Sequence, residues 1–89
     1  MMYPYITLAD GTEIVHSQLI QKDELDMVEV HFERAVGDGF HSARCVLPTY
    51  EWKFTDGFSD EEMNFFEEFL QQNAHLFYRY AAQGGIHFS

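Results

Sequence analysis

The sequence predicts an α+β domain: an antiparallel meander of about four strands packed against one long C-terminal helix, with room for a short helix before it. Three observations carry this. The first half alternates apolar and polar residues at the two-residue period of half-buried strands, most clearly Val28, Val30 and Phe32 against Glu29, His31 and Glu33. Turn signals, Asp10-Gly11 and Gly37-Asp38-Gly39, separate the runs. After Phe58 the apolar period lengthens to that of a helix, behind a strong start signal.

The elements follow in order. Tyr3 to Leu8 is aromatic and β-branched, and Pro4 near its start suits an edge strand or a strand beginning. Asp10-Gly11 turns the chain into a returning strand, Glu13 to Ile20, with Ile14 and Ile20 on one face and Val15 and Leu19 on the other. Gln21 to Leu25 is a polar turn, and Asp26 to Arg34 is the clearest strand, one face core and one face wet. Phe40 to Leu47 reads as a fourth strand with Ala43, Cys45 and Leu47 on one side, ended by Pro48. Tyr50, Trp52 and Phe54 alternate with Glu51 and Lys53 as a strand would. Thr49 can equally cap a short helix that ends at Gly57, and the reading favours that helical turn.

Ser59-Asp60-Glu61-Glu62 is a capping box: the Ser59 hydroxyl accepts from the Glu62 amide while the Glu62 carboxylate reaches back to the Ser59 amide. Phe58 and Met63 occupy the two positions of a hydrophobic staple, and three acids in the first turn suit the positive end of the helix dipole. Met63, Phe66, Leu70, Phe77 and Tyr80 recur at helical spacings, widened by Phe69 and Ala81. The helix is expected from Asp60 to about Ala82, stopped by Gly84-Gly85. At ~1.5 Å per residue it is a rod of ~34 Å, long against an expected radius of gyration of ~12 Å, so it must cross the whole sheet.

A chain of 89 residues makes one domain over 1–89 and buries roughly 60–65% of its unfolded surface. Hydrophobic residues at 46% and charged residues at 22% exclude disorder. Aromatic residues reach 17%, more than so small a core can hold, so some are expected at the surface. The single cysteine, Cys45, makes no internal disulfide. Met1-Met2-Tyr3-Pro4-Tyr5 has neither a basic nor an apolar leader region, and no apolar run spans a bilayer, so a cytoplasmic setting is expected. Fifteen acids against five Lys and Arg give a net charge of −10. That disfavours direct contact with nucleic acid or an anionic membrane and leaves a basic protein surface or a cation as the partner the charge suits.

Candidate chemistry is sparse. His16, His31 and His41 all fall on strands and would bind zinc if they met, but they lack metal-ligand spacing, and the simpler reading is three strand residues that never meet. His75 and His87 read as surface residues. Cys45 lacks a context that would lower its pKa and reads as a buried apolar thiol. Gly37-Asp38-Gly39 and Gly84-Gly85 read as turns, since neither opens a helix that could hold phosphate. No carboxylate is set apart as a general acid, and no calcium loop is present. The chain is therefore expected to be no enzyme and to need no cofactor or metal.

Two features remain. Glu61, Glu62, Glu67 and Glu68 form an acidic helix face, readable as a solubilising surface or as a carboxylate array that imitates a phosphate backbone. Phe65, Leu76 and Tyr78 fall off the main apolar stripe, so a second element or a partner must cover that side, and a homodimer through the helix is one candidate.

Tyr3-Pro4-Tyr5-Ile6-Thr7-Leu8-Ala9-Asp10, Thr12-Glu13-Ile14-Val15-His16-Ser17, Val30-His31-Phe32-Glu33, Ser42-Ala43-Arg44-Cys45 and Asn73-Ala74-His75-Leu76 resemble parts of a group of small uncharacterised proteins from anaerobic gut bacteria. The resemblance covers most of the chain and implies a bacterial or mobile-element setting, with no activity attached. The leading expectation is an acidic protein–protein interaction module, in its most specific form an inhibitor or antitoxin-like partner of a basic, nucleic-acid-handling protein. Its contact residues would be Glu61, Glu62, Glu67, Glu68, Phe65 and Tyr78. The alternatives are a metal- or ligand-binding domain built on the strand histidines and a self-assembling structural subunit.

Overall fold

The computed structural model describes residues 2–84. Six strands, β1 (Met2–Thr7), β2 (Glu13–Ser17), β3 (Ile20–Lys22), β4 (Leu25–Val36), β5 (Gly39–Leu47) and β6 (Glu51–Asp56), precede one helix, α1 (Asp60–Gln83). The sheet order is β1-β2-β4-β5-β6, every neighbour antiparallel, with β3 pairing the start of β4. This is the expected α+β meander under a long C-terminal helix. The helix stops at Gly84, whose φ of 80° is the left-handed conformation glycine adopts cheaply. Gly85 and His87 lie outside the described residues.

β2 and β3 are one strand interrupted by a bulge. His16 pairs with Val30 and Ile20 with Met27, which leaves one extra residue on the β2–β3 side. Ser17 fills the gap. Its hydroxyl accepts from the Glu29 amide at 3.0 Å and donates to the Gln18 carbonyl at 2.8 Å. The polar turn is narrower than expected, only Asp23-Glu24, because Gln21 and Lys22 already pair with Asp26 and Leu25.

The stretch after Pro48 is a fifth strand of the meander and not a helical turn. Tyr50-Glu51-Trp52-Lys53-Phe54 fits either period, and pairing with β5 decides it: Cys45 faces Trp52 and Arg44 faces Phe54. Trp52 turns inward, its ring 5.8 Å from that of Phe32, while Phe54 stays on the open face. Thr49 does not cap a helix. Its hydroxyl donates to the Val46 carbonyl and accepts from the Glu51 amide, tying the turn instead.

One sheet face carries the core. Ile14, Val28, Val30, Phe32, Ala43, Cys45 and Leu47 pack against Phe66, Leu70, Phe77 and Ala81 of α1. Phe32 and Phe66 stack at 4.3 Å and 18°. Tyr5, the bulged residue of β1, lays its ring 4.3 Å from Phe77 and donates its hydroxyl to Asn73 Oδ1 at 2.8 Å. Asn73 in turn donates to the Phe69 carbonyl, so both ends of its amide are used. The capping box forms as expected: Ser59 Oγ accepts from the Glu62 amide, and Glu62 Oε1 accepts from the Ser59 amide.

Among the described residues both end strands of the five-strand path are guarded. β1 carries Pro4 and the bulge at Tyr5. β6 carries Glu51, Lys53 and Asp56 with a bulge beside Arg44/Cys45. Proline, charge and bulges all obstruct edge-to-edge pairing.

Candidate protein-binding site

The three strand histidines do not converge. His16 pairs with Val30 and is fully buried facing α1, with its ring 5.9 Å from Phe77. His31 pairs with Val15, so strand alternation puts it on the open face, where Nε2 lies 3.0 Å from Glu29 Oε1. His41 pairs with Arg34 and packs edge-on against Phe58 before the helix start. Among the described residues no group of three or more His, Cys, Asp or Glu is placed to hold a metal. The metal site expected as an alternative is therefore corrected by sheet register. Cys45 is buried, and burial pushes its thiol up to about 12, so it is an inert core residue. No helix among the described residues is long and apolar enough to cross a membrane.

The six expected contact residues divide. Tyr78 is occupied internally: it is half-buried, packs on the core, and donates its hydroxyl to the Asp26 carbonyl at 2.9 Å. The start of β4 reaches that flank of the helix, so the Tyr78 ring packs at the edge of the core with its hydroxyl tied to β4. Glu62 is also committed. It closes the capping box and lies 2.7 Å from Arg34 Nη1, and these contacts, the Ser59 amide first, hold its carboxyl below the ordinary range. Glu67 is exposed and accepts from Trp52 Nε1 at 3.1 Å. Glu61 and Glu68 are exposed, with no internal partner among the described residues.

Phe65 is 50% exposed. Other large apolar side chains are exposed too, but they are scattered: Ile6 is on β1, Leu25 starts β4, Phe40 lies beside the β4–β5 turn and Phe54 is on the open face. Phe65 alone stands on the acidic stretch, as a ridge between two grooves. One, of about 450 Å³, runs between the β1–β2 turn and the start of α1, with Leu8, Ala9, Phe65 and Phe66 as apolar lining and Asp10, Glu61 and Glu62 as carboxylates. The other, of about 470 Å³, is bordered by Glu61, Glu67 and Glu68. Asp60, Glu61, Glu62, Glu67 and Glu68 precede the first Lys or Arg of the helix, Arg79.

Sequence reasoning missed what holds the first groove open. Arg34 Nη1 lies 2.9 Å from Asp10 Oδ2 as well as 2.7 Å from Glu62 Oε2, and its guanidinium carbon is 5.3 Å from the Phe58 ring centre. One side chain thus ties both groove walls together. The signal was present: Arg34 continues the inward-facing series of Val28, Val30 and Phe32, and a cation there in an acidic chain needs acidic partners. Asp10 is held below the ordinary carboxylate range first by the Thr12 amide and then by Arg34.

Comparison with family models, curated proteins and solved structures returns no match. Fold and surface chemistry alone therefore bear on function.

Proposed function

We propose that this chain is a non-enzymatic protein-binding module that docks on a basic protein surface through the first half of α1. The observation that carries the reading is Phe65, a half-exposed aromatic ridge flanked by Glu61, Glu67 and Glu68. Aromatic side chains at the centre of a contact supply most of its energy, and a charged rim supplies register and attraction at a distance. A solubilising surface calls for the carboxylates but not for the aromatic. A nucleic-acid-handling protein is the partner whose own surface best fits, since the carboxylates would take the place of phosphates.

The test is affinity capture from a cell lysate, comparing the native chain with the triple variant Glu61→Arg/Glu67→Arg/Glu68→Arg. The native chain should retain a basic protein at low salt and release it as salt screens the contact, and the variant should retain none. Equal capture by both would remove the acidic face from the reading.

A further inference from the structure

We infer that the groove between the β1–β2 turn and the start of α1 receives a cationic amphipathic segment of the partner, seating an aliphatic side chain against Leu8 and Phe65 and a neighbouring Lys or Arg at Glu61. The inference rests on the reading just given and adds the binding mode. Three observations specify the occupant.

The first is shape. A groove of about 450 Å³ with an apolar floor falls within the roughly 300–1,000 Å³ of ligand pockets. It is pre-formed, because Arg34 pins Asp10 on one wall and Glu62 on the other.

The second is charge. Three carboxylates border the groove and one guanidinium serves two of them, which leaves Glu61 without an internal cation among the described residues. An anionic ligand is repelled, and a purely apolar one leaves the rim unused. A Lys or Arg side chain suits both parts, since its methylene stem lies on apolar surface while its head reaches a carboxylate.

The third is the edge. Pro4 and the bulge at Tyr5 obstruct strand addition to β1, the strand that leads into the groove wall of Leu8 and Ala9. The occupant therefore engages through side chains and not by extending the sheet.

The experiment titrates the isotope-labelled chain with three short peptides of equal length, following amide shifts and the anisotropy of a fluorophore on the peptide. One alternates leucine and lysine at helical spacing, one has serine in place of leucine, and one has glutamate in place of lysine. The Leu/Lys peptide should shift Leu8, Ala9, Glu61 and Phe65 and bind at least about tenfold more tightly than the Ser/Lys peptide, while the Leu/Glu peptide should not bind. Phe65→Ala should weaken the Leu/Lys peptide about tenfold. Ala9→Arg, on an exposed turn residue outside the core, should do the same by placing a cation in the groove. Equal binding of the Ser/Lys and Leu/Lys peptides, with no shifts in the groove, would overturn the groove while leaving the acidic face as the docking surface. Binding of the Leu/Glu peptide would overturn the charge argument. Failure of both cationic peptides to bind would overturn this inference and the proposed function together.

Discussion

Arg34 Nη1 sits 2.7 Å from Glu62 Oε2, so a guanidinium from the central strand closes on the carboxylate that also caps the helix. The same nitrogen meets Asp10 at 2.9 Å, which makes the β1–β2 turn, β4 and the helix start one unit. Arg34→Met keeps a stem over Phe58 but leaves two carboxylates facing each other, and the variant should be the less stable near neutral pH. The difference should depend on pH. Asp10 and Glu62 have carboxyls held below their ordinary values of 3.8 and 4.5, so their stabilisation is complete above those values and is lost as pH falls through the lowered ones. Urea midpoints of native and variant chains should therefore converge as pH drops below about 4. A gap that stays constant to pH 2 would show that the charges contribute nothing.

His16 predicts a second, separate pH response. Its Nδ1 lies 2.8 Å from the Ser17 carbonyl, which can only accept, so Nδ1 carries the proton and Nε2 is bare. Nε2 is buried with no hydrogen-bond partner among the described residues, and the surrounding rings are Tyr3, Tyr5 and Phe77. Burial lowers the imidazole pKa below its ordinary 6.5. Above 6.5 folded and unfolded chains are both neutral here. Below it the unfolded chain takes a proton that the folded chain refuses, so stability falls as pH drops, by at most about 1.4 kcal/mol per pH unit. His16→Gln should flatten the urea midpoint below pH 6.5 relative to the native chain. An unchanged slope would place the response elsewhere.

What was legible in the sequence follows from the range of the interactions concerned. The helix boundaries rest on Ser59, Glu62 and Gly84, residues that act within one turn of themselves, and all three behave as local chemistry requires. The inward face of β4 was legible because alternation is also local. The last strand was not, since Trp52 and Phe54 satisfy two periods and only their pairing with Cys45 and Arg44 chooses. Tyr78 and Phe65 looked alike as off-stripe residues. They differ because the Asp26 carbonyl reaches one, while the other rests against Phe66 and Phe69 with half of its surface left open. Half of the candidate site, the wall of Leu8 and Ala9, reaches the helix only through the fold.

The turn at Asp23-Glu24 marks a place where stability can be gained. Both residues have positive φ, 51° and 66°, in a two-residue hairpin connection. Residues with a Cβ are disfavoured there, and glycine at the second position is the usual solution. Glu24→Gly should raise stability by about 0.5–1 kcal/mol, measured by urea denaturation. A loss instead would mean that the Glu24 side chain contributes more than its backbone costs.

Gly57 makes the opposite case. Its φ is 95°, and a Cβ built there would overlap the His41 ring. Gly57→Ala strains the backbone and displaces His41, whose ring packs on Phe58. It should cost about 1–3 kcal/mol. Since Phe58 also carries the Arg34 guanidinium over its ring, amide shifts should spread from Gly57 to Asp10. Shifts confined to the β6–α1 connection would separate His41 from the Arg34 cluster.

Cys45 offers a direct reading of whether the core opens. It lies between Ala43 and Leu47 on the inward face of β5, has no exposed surface, and its thiol is pushed up to about 12 by burial. The reactive species is the thiolate, so both access and ionisation oppose modification. In the folded chain at pH 7 a thiol reagent should label Cys45 only through opening of the sheet against α1, while in concentrated guanidinium labelling should be immediate and complete. The labelling rate of the folded chain should then fall in step with any gain in stability, so that Glu24→Gly slows it and Gly57→Ala speeds it. Fast labelling of the native chain, insensitive to both substitutions, would mean that β5 opens locally, without unfolding of the rest.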